Sequence, residues 1–178
     1  IALNDDHFDA GSGLSTNHAD SYLMEKLPAD GKYFIHLGNT TRHGGKEYAY
    51  RLRISQPQPD FTLRLIPSRI AIRSKASATV TVFAIRKDGF DRPIKLSFKD
   101  LPQGLESAGA TLPANAETVA LAIKTSLAEM ENPVDLTVLG SAKVGDREIV
   151  HAAIASEDRM QAFLWHHLLP AETLPVLV

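Results

Sequence analysis

The 178-residue chain has no cysteine, so neither a disulfide nor a thiolate metal site can hold it together. No apolar run approaches the roughly 20 residues that a bilayer-spanning helix needs. No charge of one sign dominates. The 19 Lys and Arg stand against 21 Asp and Glu, a net charge of −2, which argues against a dedicated nucleic-acid surface. No His-Glu-x-x-His, Gly-x-Ser-x-Gly elbow, phosphate loop or dinucleotide fingerprint occurs, so four common catalytic chemistries have no motif here. What is present is ordinary for a folded domain: 44% of residues are hydrophobic and 22% charged, enough for a packed core. Ile1-Ala2-Leu3 reads as the middle of a strand, so the chain is expected to be a piece of a longer protein whose targeting signal lies upstream.

Gln56-Pro57-Gln58-Pro59-Asp60 divides the chain. Two alternate prolines remove two backbone donors and hold the chain extended, so no ladder is expected through them. The expected units are residues 1–56, a linker over 57–60, and residues 61–178. In the first unit, Ser21–Leu27, Lys32–Leu37 and Glu47–Ser55 read as strands. The last is the clearest: Tyr48, Tyr50, Leu52 and Ile54 alternate with Ala49, Arg51, Arg53 and Ser55, one apolar face and one basic face. Pro28-Ala29-Asp30-Gly31 is a turn signal between the first two. In the second unit, Phe61–Ile66, Ile70–Ile72, Ala78–Lys87, Ile94–Phe98, Val119–Ile123, Val134–Val144, Arg147–Ala155 and Leu174–Val178 read as strands at turn-separated spacing, the pattern of a β-sandwich. In Ala78–Lys87 the apolar phase changes, which implies either burial on both faces or a bulge near Val82. Met160, Phe163, Leu164, His167 and Leu168 fall at helical spacing, so a short helix is expected over Glu157–Leu169, with acids at its start and Pro170 as its stop. Packed as a plug, it would close the sandwich; exposed, its Phe163 and Trp165 would form an interface.

Candidate sites are few. Asn4, Asp5, Asp6 and Asp9 supply the hard oxygens that calcium prefers, though not at EF-hand spacing; the alternative is a solvated turn whose side chains bond nearby backbone. Arg42, His43, Arg51 and Arg53 form a polar, basic set suited to an acidic polysaccharide or a protein. Of the seven histidines, none has metal-ligand spacing, and the adjacent His166 and His167 would diverge by about 100° on a helix. No catalytic residue is assigned, and no cofactor beyond calcium is indicated.

Asn4-Asp5-Asp6, Asp20-Ser21-Tyr22-Leu23, the run Leu27-Pro28-Ala29-Asp30-Gly31-Lys32-Tyr33-Phe34-Ile35-His36-Leu37, and Gly44-Gly45 with Tyr48–Leu52 resemble the C-terminal half of a bacterial pre-peptidase C-terminal domain. That resemblance implies a partial jelly-roll-type β segment beside the catalytic or adhesive part of a secreted or surface protein, with calcium in some members. The family's first strands are not in this chain, which implies open edges that pair with another domain of the parent, an upstream segment or a second copy. Leu101-Pro102-Gln103-Gly104-Leu105 followed by Ala110-Thr111-Leu112-Pro113-Ala114 resembles bacterial immunoglobulin-like domains and implies that sandwich over residues 60–156. Together these make the chain an all-β, non-catalytic binding or spacer module. The alternatives are an accessory fragment of a secreted hydrolase and a calcium-stabilised assembly module.

Overall fold

The computed structural model describes residues 1–8, 17–18, 21–161 and 165–178. Among them every regular element is a strand. A two-residue pair, β1 (His7–Phe8) and β2 (Asn17–His18), precedes the main body. Then follow β3 (Asp60–Ile66), β4 (Ile70–Ala71), β5 (Ser77–Lys87), β6 (Ile94–Lys99), β7 (Leu105–Glu106), β8 (Ala110–Leu112), β9 (Thr118–Thr125) and β10 (Val134–Asp135). The chain ends with β11 (Thr137–Val144), β12 (Arg147–Ala152), β13 (Ile154–Gln161), β14 (Trp165–Pro170) and β15 (Pro175–Leu177).

Two large sheets face each other. One runs β14-β13-β3-β5-β9-β7 and the other β12-β11-β6-β8; a small sheet, β10-β15-β4, joins them. All pairings are antiparallel except β13 on β3 and β15 on β4. The period of two puts Phe61, Leu63 and Leu65 of β3, Val80 and Val82 of β5, and Leu121 and Ile123 of β9 on one inner face. Ile94, Leu96, Leu112, Val138 and Ile149 supply the other, and all of these are buried in one cluster. Each such side chain contributes about 1.5–3 kcal/mol relative to exposure. The sheets approach most closely at Gly140, where an added Cβ would lie 2.3 Å from Leu63 Cδ1 and 3.0 Å from Ile94 Cγ2. Only a residue without a side chain lets β11 pass β3 at that separation.

Asp88 and Gly89 make the turn after β5, both at positive φ (50° and 75°), the conformation that an Asp-Gly pair accepts most readily. The phase change in β5 is burial on both faces and not a bulge. The registers with β3 and β9 run unbroken through Val82, Val80 and Val82 are fully enclosed, and Ile85 on the opposite face is buried too.

Three expectations are corrected. No helix occurs among the described residues. Of the stretch expected to be helical, Glu157–Leu169, the described residues form instead β13 and β14, an antiparallel pair whose ladder runs from Ser156↔Pro170 to Gln161↔Trp165; Phe163 and Leu164 lie outside the described residues. A stripe of four apolar positions and a histidine fits either element in so short a run, and here β13 is recruited by β3 at Ile154 and Ala155, so a tertiary contact overrides the local period. The second correction concerns the partial jelly-roll segment: residues 21–59 contribute no strand. Their alternation is present, but among the described residues no neighbouring strand offers a ladder, and alternation alone does not hold a strand in water. Third, the expected strands Val134–Val144 and Arg147–Ala155 are each broken. At Leu136 the N–H leaves for Leu174 O (2.9 Å), and at Ala153 it bonds Val138 O (2.8 Å). At these points the chain passes from one sheet to the next.

Candidate functional site

The tract over residues 21–56 displays both of its phases. Tyr48, Tyr50, Leu52 and Ile54 are exposed, as are Leu23, Met24, Leu27, Phe34, Ile35 and Leu37. Local bonds shape it. The Tyr33 hydroxyl donates to Ala29 O across the Pro28–Gly31 turn, and Lys32 Nζ lies 5.1 Å over the Phe34 ring. Asn39 Oδ1 accepts from the Thr41 N–H (2.8 Å) and hydroxyl (2.7 Å), an Asx turn. The Arg42 N–H donates to Asn39 O, with Arg42 itself at φ 57°.

The basic set is therefore displayed but not gathered. Arg42 closes that turn, and the His43 ring lies 6.5 Å from Tyr48. Arg53 acts elsewhere, placing its charge near Tyr22. Among the described residues no hydrogen bond, ion pair or ring contact joins Arg42 or His43 to Arg51 or Arg53.

Tyr22 is where the tract touches the sandwich. Its hydroxyl donates to Asp88 Oδ1 (3.3 Å), and the Gln58 N–H donates to Asp88 Oδ2 (3.0 Å). Met24 Cε lies 3.4 Å from the point a Cβ on Gly89 would occupy. Burial pushes the Tyr22 phenol up, the Asp88 charge and hydrogen bond push it further, and Arg53 opposes them. Asp88 thus serves twice, as a turn residue and as the acceptor for both the tract and the linker. Sequence reasoning saw only the turn; nothing in an Asp-Gly pair signals a partner 66 residues away.

Of the candidate calcium ligands, Asn4 is engaged within the protein. Its Oδ1 accepts the Tyr22 N–H (3.0 Å) and its Nδ2 donates to Asp6 O (2.7 Å). Asp9 lies outside the described residues. Among the described residues no three His, Cys, Asp or Glu side chains converge to hold a metal ion.

A second cluster, absent from the sequence reading, lies where β3 meets β12. His151 Nε2 and Asp60 Oδ1 are 2.8 Å apart, and the same oxygen accepts the Phe61 N–H (2.8 Å). The Phe61 ring stands edge-on to His151 and tilted against Phe90, both at 5.1 Å. Arg86 lies 5.3 Å over Phe90 and donates to Arg92 O (2.8 Å) and Pro113 O (2.7 Å). Burial raises the Asp60 pKa, but the His151 hydrogen bond, the Phe61 N–H and the charges of His151 and Lys87 outweigh it, so the carboxyl is held below its ordinary range. A His–Asp pair can orient a general base. Here Asp60 lies on β3 and His151 on β12, so the pair ties one large sheet to the other.

On the C-terminal hairpin, Glu157 accepts from Ser68 Oγ (3.2 Å) and pairs with Arg159 and, at 4.0 Å, Arg69. The Arg159 hydrogen bond and charge hold its carboxyl below the ordinary range, with Ser68 adding to them. Of the two expected interface aromatics, Trp165 is the first residue of β14 and Phe163 lies outside the described residues. Open grooves flank the Ser107–Ala110 segment, with Lys95 on one and Glu106 and Lys124 on the other.

No protein-family model, no curated protein and no solved structure matches this chain. The chain is an all-β domain of antiparallel and mixed sheets, and its function rests on its own geometry.

Proposed function

We propose that this chain is a non-catalytic interaction module of a larger secreted or cell-surface protein. Residues 60–178 are its scaffold, and the tract over residues 21–56 is the segment that meets a protein partner, in the first instance a neighbouring domain of the same parent. One observation carries the reading: the tract displays tyrosines, Phe34, Met24 and aliphatic residues beside Arg42, Arg51 and Arg53, without a strand of its own to cover them. Aromatic residues, Met and Arg are the types enriched at protein interfaces, and alternating apolar residues without a neighbour are what an added strand would complete. The resemblance of Leu27–Leu37 and Tyr48–Leu52 to pre-peptidase C-terminal domains supports a place beside other domains.

The test uses an apolar-surface dye on the whole chain. The wild-type chain should enhance its fluorescence, and Tyr50→Ser with Ile54→Ser should remove most of that signal without moving the thermal midpoint. An unchanged signal would exclude the tract as the displayed surface. Retention on an acidic polysaccharide column, lost on Arg51→Ala with Arg53→Ala, would move the assignment to a glycan.

A further inference from the structure

Aspartate precedes glycine twice in the chain, at Asp30-Gly31 and at Asp88-Gly89. This dipeptide reacts with itself in water. Glycine has no Cβ to shield its nitrogen, so that nitrogen can attack the aspartate side-chain carboxyl and close a five-membered ring. In a folded chain the rate depends on whether the carboxyl carbon and the nitrogen are free to meet. The two sites differ in this respect.

Asp88 is held from three sides. Its Oδ1 accepts from the Tyr22 hydroxyl (3.3 Å) and its Oδ2 from the Gln58 N–H (3.0 Å), so the carboxyl group cannot turn without breaking a bond. The Phe90 N–H donates to Lys87 O (3.0 Å) across the turn, which fixes the peptide between Asp88 and Gly89. Met24 Cε packs over Gly89, 3.4 Å from where a Cβ would lie. Asp30 has none of these restraints. Among the described residues no hydrogen bond or ion pair reaches its side chain or the Gly31 N–H. Nothing lies within 4 Å of the point a Cβ on Gly31 would occupy, and both residues are exposed. The bonds across this turn run between Ala29 and Tyr33 and leave the Asp30–Gly31 peptide free to rotate.

We propose that Asp30 is a site of spontaneous isomerisation to isoaspartate, and that the contacts on Asp88 protect the second Asp-Gly pair from the same reaction. The step balances without a co-reactant. The Gly31 nitrogen bonds the Asp30 side-chain carbon, and the carboxyl hydroxyl leaves as water with the proton the amide gives up. The cyclic imide is lighter than the chain by one water. Water then adds at one of its two carbonyls. Breaking the bond from the Gly31 nitrogen to the side-chain carbon restores aspartate. Breaking the bond to the main-chain carbon leaves the backbone running through the side chain, with the original mass and one more backbone carbon. That carbon falls between Ala29 and Tyr33, so it draws the Tyr33 hydroxyl away from Ala29 O. On the reading that the tract over residues 21–56 meets a partner, the reaction ages that surface and spares the scaffold; the site itself does not depend on that reading.

The test is peptide mapping of the whole chain after incubation in mildly acidic buffer, which supplies the protonated carboxyl. Isoaspartate at each position is quantified by its resistance to an aspartate-specific protease and by enzymatic methylation of the isoaspartyl carboxyl. In the folded chain it should build up at position 30 at least about tenfold faster than at position 88, the factor that one hydrogen bond to a charged group is worth. In denaturant the two rates should converge, because the dipeptide is the same. Tyr22→Phe removes one bond to Asp88 and should raise the rate at position 88 several-fold. Gly31→Ala shields the nitrogen and should slow the reaction at position 30; the open space there, without a positive φ, lets the variant fold. Equal rates at the two positions in the folded chain, or no isoaspartate at either, overturn the proposal. A difference that persists in denaturant overturns the fold as its cause, and an unchanged rate at position 88 in Tyr22→Phe overturns the protective bond.

Discussion

Replacing Gly140 by alanine places a methyl group 2.3 Å from Leu63 Cδ1, 3.0 Å from Ile94 Cγ2 and 3.3 Å from Leu96 Cδ2. Favourable carbon contacts lie at about 3.5–4.0 Å, so the first of these overlaps by more than about 1 Å. Leu63 is fully buried between the sheets and has no open side to swing into; either the sheets part or Leu63 leaves its rotamer. Overpacking of this kind costs about 1–3 kcal/mol. Removing a glycine from the unfolded chain returns about 0.4–1 kcal/mol. The net expectation is a loss of about 1–2 kcal/mol, read as a midpoint lowered by roughly 3–10 °C in a thermal melt of a domain this size. The cause is checked by a double-mutant cycle. Leu63→Ala alone should cost about 2–5 kcal/mol but vacates the space the new methyl needs, so the double variant should be more stable than the sum by about 0.5–3 kcal/mol. A Gly140→Ala chain as stable as wild type, or strict additivity in the cycle, would refute the close passage of β11 over β3.

Asp60 sets an acid limb. Its folded pKa lies below its unfolded one, so its stabilisation is present above the unfolded value near 3.8 and is lost as pH falls through the folded value. In denaturant melts between pH 6 and the acid range, Asp60→Asn should lose stability at neutral pH and show a shallower acid decline than wild type. Asp88→Gly keeps the positive-φ turn while removing both acceptors for Tyr22 and Gln58. Cleavage between Tyr22 and Lys26 in limited proteolysis should quicken several-fold while the stability of the sandwich falls by no more than about 1–2 kcal/mol. Millimolar calcium is expected to leave the midpoint where chelator leaves it, because the Asn4 amide is already engaged by Tyr22 and Asp6; a clear rise would instead assign the ion to Asn4, Asp5, Asp6 and Asp9.

Much of the sandwich was legible because its strands bury one face. Phe61, Leu63 and Leu65, then Ile94 and Leu96, then Leu121 and Ile123, alternate in the sequence and lie inside in the structure. Asp88-Gly89 marked its turn for the same local reason. Where three-dimensional partners decide, the pattern misleads. The stripe Met160–Leu168 has the spacing of a helix, but β3 captures Ile154 and Ala155, and β13 and β14 pair as antiparallel strands. Tyr48, Tyr50, Leu52 and Ile54 alternate as well as any strand in the chain and yet have no ladder, because alternation specifies a face and not the neighbour that covers it. The Asp60–His151 pair joins residues 91 apart, a separation at which no local signal operates. Of the proposed interaction residues, Arg51 and Arg53 were legible as one phase of a strand; that the Arg53 charge acts on Tyr22 was not.

Amide hydrogen exchange on the whole chain separates scaffold from displayed tract most directly. The amides of β3, β5, β9 and β11 should be protected to the level of global unfolding. Those of Lys32–Leu37 and Tyr48–Ile54 should exchange near intrinsic rates in the isolated chain and become protected only when a partner is added. Strong protection of Tyr48–Ile54 in the isolated chain would mean that the tract is already paired, and would contradict its assignment as the segment held open for a partner.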